Sequence, residues 1–166
     1  FNNIENKIKI INIKNFKDNR GLLWTVWEKK FFGNIKFNHD KFSISKKKTL
    51  RGMHSDFKSR KLITCVYGKL FFVIVNLNKK SKDYLKHKSW VLDYKKPKII
   101  LVPPHYANGH LCLSKECIFF YKWSYKGKYI DAKHQKSYRW DDPKFKIKWP
   151  IEKPILSMRD KNSKYL

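Results

Sequence analysis

Short runs of apolar residues recur along the chain, and polar or turn-forming residues separate them. Several runs alternate apolar and polar residues with a period of two, which is typical of half-buried β-strands, and helical periodicity is nearly absent before the last few residues. Gly and Pro fall between the runs, as turn chemistry requires. The predicted strands are Ile8–Ile13, Leu22–Trp27, Ile35–Ser45, Lys61–Val66, Lys69–Leu77, Lys88–Leu92, Lys98–Val102, His110–Leu113 and Cys117–Ser124.

This pattern predicts an all-β fold with antiparallel strands. About ten short strands with turn signals between them are typical of a β-sandwich or barrel, the class that contains jelly rolls and cupins. Tyr67-Gly68 indicates a hairpin between the strands that flank it, and Asn19-Arg20-Gly21 indicates another turn. No linker, internal repeat or low-complexity segment is evident in the sequence, so we expect one domain over residues 1–166.

The composition is that of a globular protein with a core. Apolar residues make up 42% and aromatic residues 16% of the chain, which excludes a disordered basic tail. No apolar run approaches the roughly 18 residues of a membrane helix, and polar residues interrupt the first segment, so we expect neither a membrane span nor a signal peptide. Cys65, Cys112 and Cys117 lie in or beside apolar runs without C-x-x-C spacing. We therefore expect reduced thiols in a cytoplasmic protein, without a disulfide or a zinc site.

The charge is strongly positive: 39 Lys and Arg stand against 13 Asp and Glu, for a formal net charge of +26. Binding to nucleic-acid phosphates would require an excess of this kind. However, 34 of the basic residues are Lys, and they are scattered along every segment, which compositional drift explains better than a phosphate-binding stripe. We expect no nucleic-acid partner, but a surface that favours anionic ligands such as nucleotide diphosphates.

One polar segment could carry chemistry. In Thr49–Asp56, Arg51 and His54 would place a cation and a titratable base beside one pocket if the segment is a strand. The alternative is a loop with a satisfied histidine, and the segment alone favours that alternative. Metal-binding cupins use a His-x-His pair and a nearby Glu. In this chain, Asp56 stands where the second His of such a pair would be, and no Glu follows nearby. We therefore expect no metal.

Ordered motifs over most of the chain change this interpretation. From about Ile10 to Asp160, the sequence resembles the dTDP-4-dehydrorhamnose 3,5-epimerase family of nucleotide-sugar cupins. Several of the motifs are weak individually, and their order and spacing together make the resemblance specific. They are Asp18–Gly21, Leu50–His54, Lys61–Gly68, Val102–Pro104, Ala107–Gly109, Tyr121–Lys122, Trp140–Pro143, Ile147–Pro150 and Leu156–Asp160.

The resemblance implies a reaction and four catalytic residues. The family inverts carbons next to the C4 ketone of a nucleotide-diphospho-4-keto sugar, which requires a base on one face and an acid on the other. The family's base corresponds to His54, its acid to Tyr121, and the carboxylate partner of the base to Asp160. The family lysine beside the ketone corresponds to Lys61, a cation suited to a developing enolate.

The resemblance also implies binding residues and a homodimer. Arg51 matches the pyrophosphate ligand, for which a guanidinium is well suited. Arg20 matches an arginine that similar enzymes deliver to the ligand across the dimer, and Arg159 belongs to the last matching motif. No metal and no organic cofactor is required.

Four departures from the family pattern suggest an unusual substrate. Thr25 replaces a Glu, His39 replaces a Gln, and Asn108 and His110 change the family's Ala-His-Gly-Phe motif. Arg51-Gly52-x-His54-x-Asp56, together with Asn108-x-His110, resembles the epimerases of GDP-linked 4-keto heptoses. The nucleotide is therefore left open between GDP and dTDP.

Two other functions remain open on the sequence. A 3,4-ketoisomerase uses the same scaffold and histidine chemistry, although the Trp140–Pro143 motif favours the epimerase. A non-catalytic basic cupin that binds nucleotide or nucleic acid would explain the charge.

Overall fold

The structure, a computed structural model, describes residues 7–131 and 134–166 and consists mainly of short antiparallel strands. Two short helices, α1 (Lys29–Phe32) and α2 (Met158–Lys161), and a 3-10 turn at Pro143–Phe145 accompany them. The strands are β1 (Lys9–Asn12), β2 (Phe16–Asp18), β3 (Gly21–Leu23), β4 (His39–Lys46), β5 (Leu50–Ser55), β6 (Arg60–Tyr67), β7 (Lys69–Asn76), β8 (His87–Asp93), β9 (Lys98–Val102), β10 (Tyr106–Cys112), β11 (Glu116–Ser124) and β12 (Lys136–Ser137).

Ten of these strands form two five-stranded sheets, in the orders β1-β9-β6-β11-β4 and β12-β5-β10-β7-β8. Neighbouring strands are antiparallel, and β2 and β3 form a separate hairpin around the predicted Asn19-Arg20 turn. The apolar residues of both sheets meet in one core, to which Ile63 of β6, Phe72 of β7 and Phe119 of β11 belong. The architecture is a jelly-roll β-sandwich of the cupin type, and the predicted fold class is confirmed.

The central strands are buried on both faces because other segments cover the outsides of the sheets. Phe32 and Ile35 pack on Leu62 and Leu101 outside the first sheet. Phe145, with the partly buried Ile147 and Trp149, covers Val73 and its neighbours outside the second. This double burial explains why β7 and β9 are nearly continuous apolar runs instead of alternating ones.

The predicted pairing of two strands and the predicted bounds of several others are wrong. Lys61–Val66 and Lys69–Leu77 do not form a hairpin: β6 pairs with β9 and β11, whereas β7 pairs with β8 and β10. The chain turns from one sheet to the other at Gly68, whose φ is +73° and where a Cβ would lie 2.2 Å from the Glu116 carbonyl oxygen. The strand predicted at Leu22–Trp27 ends at Leu23.

The segment around His54 is a strand, β5, although its local sequence favours a loop. Its partner β10 begins at Tyr106, four residues before the predicted start. In the described residues, no helix is long and apolar enough to cross a membrane.

Candidate active site

A cavity of about 250 Å³ lies between the two sheets, and both sheets contribute polar side chains to its wall. The first sheet supplies residues of β4, β6 and β11, and the second supplies residues of β5 and β10. α2 and the residue before it close one side. The lining residues are Lys41, Ser43, Arg51, His54, Lys61, Ile63, Asn108, His110, Phe119, Tyr121, Trp123, Tyr129, Gln135, Ser157, Arg159 and Asp160.

His54 and Asp160 form a hydrogen-bonded pair in this cavity. His54 Nε2 lies 2.6 Å from Asp160 Oδ1, and since an ionised carboxylate only accepts, the imidazole donates this hydrogen bond. In the neutral ring, Nδ1 is then unprotonated and able to accept a proton. The residues lie 106 positions apart in the sequence, and the packing of α2 on β5 brings them together.

Two hydrogen bonds hold Asp160 in place, one at the start of α2 and one from β5. Its N–H donates to the Ser157 hydroxyl at 3.1 Å, so Ser157 caps the helix. Its Oδ2 accepts the N–H of Gly52 at 3.4 Å. Burial raises the pKa of Asp160, but the hydrogen bond and charge of His54 outweigh it, and the net pKa lies below the usual 3.8. The carboxylate therefore stays ionised and stabilises an imidazolium on His54.

Tyr121 lies on the opposite sheet, in a row of aromatic residues along β11. Its ring packs between Phe119 at 5.3 Å and Trp123 at 5.7 Å, measured between ring centres. Burial raises the pKa of Tyr121, and the positive charge of Lys41 only partly offsets this. The phenol is thus un-ionised at neutral pH and can donate a proton.

Lys61 and Arg51 bring positive charge to the cavity. Lys61 is 5% exposed, and its Nζ lies 3.4 Å from Asp56 Oδ2. Arg51 spans the two sheets: its Nε donates to the Ser45 hydroxyl at 3.0 Å, and a terminal NH2 group donates to the Ile44 carbonyl at 3.2 Å.

Arg159 borders the cavity from the first turn of α2. Its guanidinium donates to the Ser137 hydroxyl at 2.8 Å and to the Gln135 carbonyl at 3.3 Å. These contacts tie α2 to the strand β12, beside the His54–Asp160 pair.

Asn108 and His110 reach the cavity from β10. The Asn108 amide donates to the His54 carbonyl at 3.1 Å and so fixes the strand that carries the histidine. His110 stacks on Phe119 at 4.2 Å, and its buried Nε2 has no hydrogen-bond partner among the described residues. Burial, aided by the nearby Arg51 and His54, lowers the pKa of His110 to about 3, so this imidazole is neutral at physiological pH.

Three predicted binding residues lie outside the cavity wall in the described part of the chain. Arg20 is exposed at the tip of the β2–β3 hairpin, where it pairs with Asp18 at 2.6 Å. Thr25 is exposed in the segment between β3 and α1. His39 stacks on Tyr129 with ring centres 4.2 Å apart. Of these two residues, Tyr129 lines the cavity and His39 lies behind it.

Several lining residues were not predicted from the sequence. Lys41 and Ser43 follow His39 at a period of two on β4, and Trp123 follows Tyr121 in the same way on β11, so alternation could have found them. Lys41 donates to the Tyr129 hydroxyl and lies 4.5 Å from the centre of that ring. Tyr129 itself lies on a loop, where no periodic signal exists.

The arrangement suits proton transfer at a carbon next to a carbonyl. The imidazole of His54 and the phenol of Tyr121 come from opposite sheets, and the ammonium of Lys61 lies in the same wall. The described residues contain no group of three or more His, Cys, Asp or Glu side chains that could hold a metal ion.

Comparison with known proteins identifies relatives over nearly the whole chain. The family model described as dTDP-4-dehydrorhamnose 3,5-epimerase matches residues 3–166. A protein of that name from Methanothermobacter thermautotrophicus is 30% identical over 166 residues, which cover 95% of this chain and 88% of the relative. The protein of the same name from Shigella flexneri is 29% identical over 163 residues, which cover 93% and 88%.

Solved structures also resemble this chain over nearly its whole length. The dTDP-4-dehydrorhamnose 3,5-epimerase of Bacillus anthracis, with TDP and PPi bound, superimposes with a TM-score of 0.86 at 30% identity and covers 96% of this chain and 94% of its own. The dTDP-6-deoxy-D-glucose-3,5-epimerase of Legionella pneumophila, in complex with dTDP-4-keto-L-rhamnose, has a TM-score of 0.86 at 27% identity, with coverages of 95% and 87%.

Proposed function

Because this chain belongs to the dTDP-4-dehydrorhamnose 3,5-epimerase family, we propose that it epimerises C3, C5 or both in a nucleotide-diphospho-4-keto sugar, with His54 as base and Tyr121 as acid. The observation that carries the proposal is the His54–Asp160 hydrogen bond of 2.6 Å in a cavity that Tyr121 lines from the opposite sheet. Such a reaction supplies deoxysugar or surface-polysaccharide precursors.

The proposed reaction moves one proton off each inverted carbon and another onto it. His54 Nδ1 removes the proton next to the C4 ketone, and the electron pair of that C–H bond moves to the ketone oxygen to give an enolate. The Lys61 ammonium stabilises this negative charge, and Asp160 stabilises the imidazolium. Tyr121 then donates its phenolic proton to the opposite face of the carbon, and the ketone re-forms. Exchange with water returns a proton to Tyr121 and removes one from His54.

Binding of the substrate is assigned to cationic and polar residues around the same cavity. Arg51 and Arg159 supply guanidinium groups for the diphosphate. Two relatives of known structure were solved with dTDP-sugar or TDP ligands. In this chain, Asn108, His110 and His39 depart from the family pattern, and they support a GDP-linked 4-keto sugar, such as a heptose, as the preferred substrate. The chemistry requires no metal and no organic cofactor.

The proposed assembly is a homodimer in the cytoplasm, without a membrane or nucleic-acid partner. Phe42 and Ile44 are 64% and 61% exposed on the edge strand β4, an apolar surface that a second copy would cover. In such a dimer, Arg20 would reach the neighbouring cavity. Sedimentation of the wild type and of Ile44→Glu tests the assembly, and a wild type that stays monomeric at micromolar concentration contradicts it.

The three buried free cysteines are compatible with a reducing compartment.

Proton exchange in heavy water tests the proposed reaction. Purified protein is incubated with dTDP- and GDP-linked 4-keto sugars, and deuterium at C3 and C5 is followed by NMR. We expect exchange and inversion, with a higher kcat/KM for a GDP-linked sugar. His54→Ala should lower exchange at least a hundredfold, because acid–base catalysis is worth about 10²–10⁴. His134→Ala, at an exposed histidine outside the cavity, is the control.

The same experiment distinguishes the alternatives. A 3-keto product would identify a 3,4-ketoisomerase, and salt-dependent binding of mixed DNA without any exchange would identify a basic binding protein. If the dTDP-hexose is turned over as well as or better than the GDP-linked sugars, the proposed preference for GDP is wrong, whereas the proposed epimerisation stands.

A further inference from the structure

A buried ammonium group lies between a carboxylate and an aromatic ring in the cavity wall. Lys61 Nζ is 3.4 Å from Asp56 Oδ2 and 4.5 Å from the centre of the Trp123 ring. Asp56, Lys61 and Trp123 are 9%, 5% and 3% exposed. Lys61 and Trp123 line the cavity, and Asp56 lies behind them on the segment that follows β5.

The two oxygens of Asp56 have different surroundings. Oδ1 accepts the backbone N–H groups of Lys58 at 2.9 Å and Ser59 at 2.7 Å, and these bonds fix the turn after β5. Oδ2 is buried and accepts no hydrogen bond of normal geometry among the described residues. The Lys61 ammonium is therefore the charge that compensates it. An ammonium or carboxylate buried without such a partner is strongly destabilised.

We propose that Asp56 is a positioning residue that keeps Lys61 charged and directed at the sugar ketone, an inference that rests on the proposed epimerase function. The carboxylate holds one side of the ammonium, and the Trp123 ring covers another through a cation–π contact. Lys61 still lines the cavity, so the same ammonium can meet the negative charge that develops on the ketone oxygen. Asp56 acts through Lys61 and does not itself line the cavity wall.

The burial of Lys61 decides in which direction the charge of Asp56 changes the pKa of Lys61. Burial lowers the pKa of Lys61, and the charge and contact of Asp56 raise it again, which leaves the net pKa below the usual 10.5. Without the Asp56 charge, the pKa of Lys61 would fall further, and the ammonium would lose its proton at a lower pH.

Besides Asp56, Lys61 lies near groups of the neighbouring strands and of the cavity wall. The strands beside Lys61 place Val102 of β9 and Trp123 of β11 opposite it, and neither side chain titrates. Titratable groups that share the cavity wall come from β4, β5, β10, β11 and α2. They are Lys41, Arg51, His54, His110, Tyr121, Arg159 and Asp160, and Tyr129 on the loop after β11 joins them.

Asp56→Asn tests the proposal because the amide oxygen can still accept the Lys58 and Ser59 N–H groups while the charge is removed. The pH dependence of kcat/KM is measured from deuterium exchange at C3 and C5. We expect its alkaline limb to move down by about 1 to 3 pH units, the usual effect of one close opposite charge. The matched control is Asp93→Asn, because Asp93 lies 3.3 Å from Lys69 outside the cavity, and this variant should leave the profile unchanged.

A second measurement does not need the substrate. Lysine labelled with ¹³C at Cε gives a titration curve for Lys61, whose signal is assigned by its absence in Lys61→Arg. The pKa of Lys61 should fall in Asp56→Asn and stay constant in Asp93→Asn. An unchanged pKa of Lys61 would overturn the proposal, as would a lowered pKa with an unmoved alkaline limb. If the wild type exchanges no protons, the proposed function fails, and the NMR titration still decides whether Asp56 holds the ammonium.

Discussion

Tyr121 owes its proposed role to its surroundings on β11, where neighbouring aromatic rings and burial keep the phenol un-ionised. Tyr121→Phe keeps the ring and removes the proton donor. We expect deuterium to enter C3 or C5 with retention, because His54 can still remove and return a proton on its own face, while the yield of inverted sugar falls about 10²- to 10⁴-fold. NMR of the sugar separates exchange from inversion. An undiminished yield of the inverted sugar would mean that water or another group is the acid.

His110 links the candidate site to the stability of the protein. The pKa of His110 is lowered from 6.5 to about 3 by burial, so between these values the unfolded chain binds a proton that the folded protein does not. The free energy of unfolding should therefore fall as the pH drops below 6.5, by about 1.4 kcal/mol per pH unit from this residue.

Urea unfolding between pH 4.5 and 7 checks this expectation. His110→Phe should remove that part of the slope, whereas His134→Gln, at an exposed position, should keep it. Parallel stability curves for the wild type and His110→Phe would mean that His110 titrates normally in the folded protein.

At the scale of the elements, the close approach of β5 and β10 sets the position of His54. A Cβ on Gly52 would lie 2.6 Å from Gly109 Cα and 2.9 Å from the Asn108 carbonyl oxygen, and the φ of Gly52 is +139°. The Gly52 N–H also donates to Asp160. A side chain at this position must push the two strands apart.

Gly52→Ala should thus lower both stability and activity. Gly21→Ala is the matched control, since Gly21 has a φ of +135° and a Cβ added there would meet no atom of the described residues within 4 Å. Urea unfolding should give a loss for Gly52→Ala that exceeds the loss for Gly21→Ala by about 1–3 kcal/mol, the range for overpacking. Equal losses would show that only the backbone conformation matters and that the strands can separate freely.

At the scale of the whole molecule, the net charge of +26 acts on any anionic substrate. We expect kcat/KM to fall about tenfold between low and physiological salt, because screening weakens the attraction of the diphosphate, while kcat changes little. Steady-state kinetics over a range of KCl concentrations measure both.

The control reduces the positive charge away from the cavity. Lys79→Glu with Lys80→Glu, at two exposed positions, should make the salt dependence shallower without changing kcat. If the salt dependence of kcat/KM is the same in this variant, the attraction of the substrate comes entirely from the charged residues of the cavity wall.

The local pattern of apolar residues was enough to predict most strands, because burial of one face imposes a period of two, and burial of both faces gives a short continuous apolar run, as in β7 and β9. It could not predict which strands pair. β6 and β7 look like a hairpin in the sequence and lie in different sheets, since the turn at Gly68 joins the two layers and pairing depends on contacts with β9, β10 and β11, distant in sequence.

The candidate site divides in the same way. The resemblance to the family was enough to propose His54, Tyr121, Asp160 and Lys61, because the family's motifs occur in this chain in the same order. Of these four residues, only His54 has support from its local sequence. Only the tertiary structure decided what surrounds them: the ring of Trp123 against Lys61, for example, and the hydrogen bond between Asp160 and His54. These contacts join elements far apart in the sequence, and the closeness of two side chains across a sandwich is a property of packing that no local pattern records.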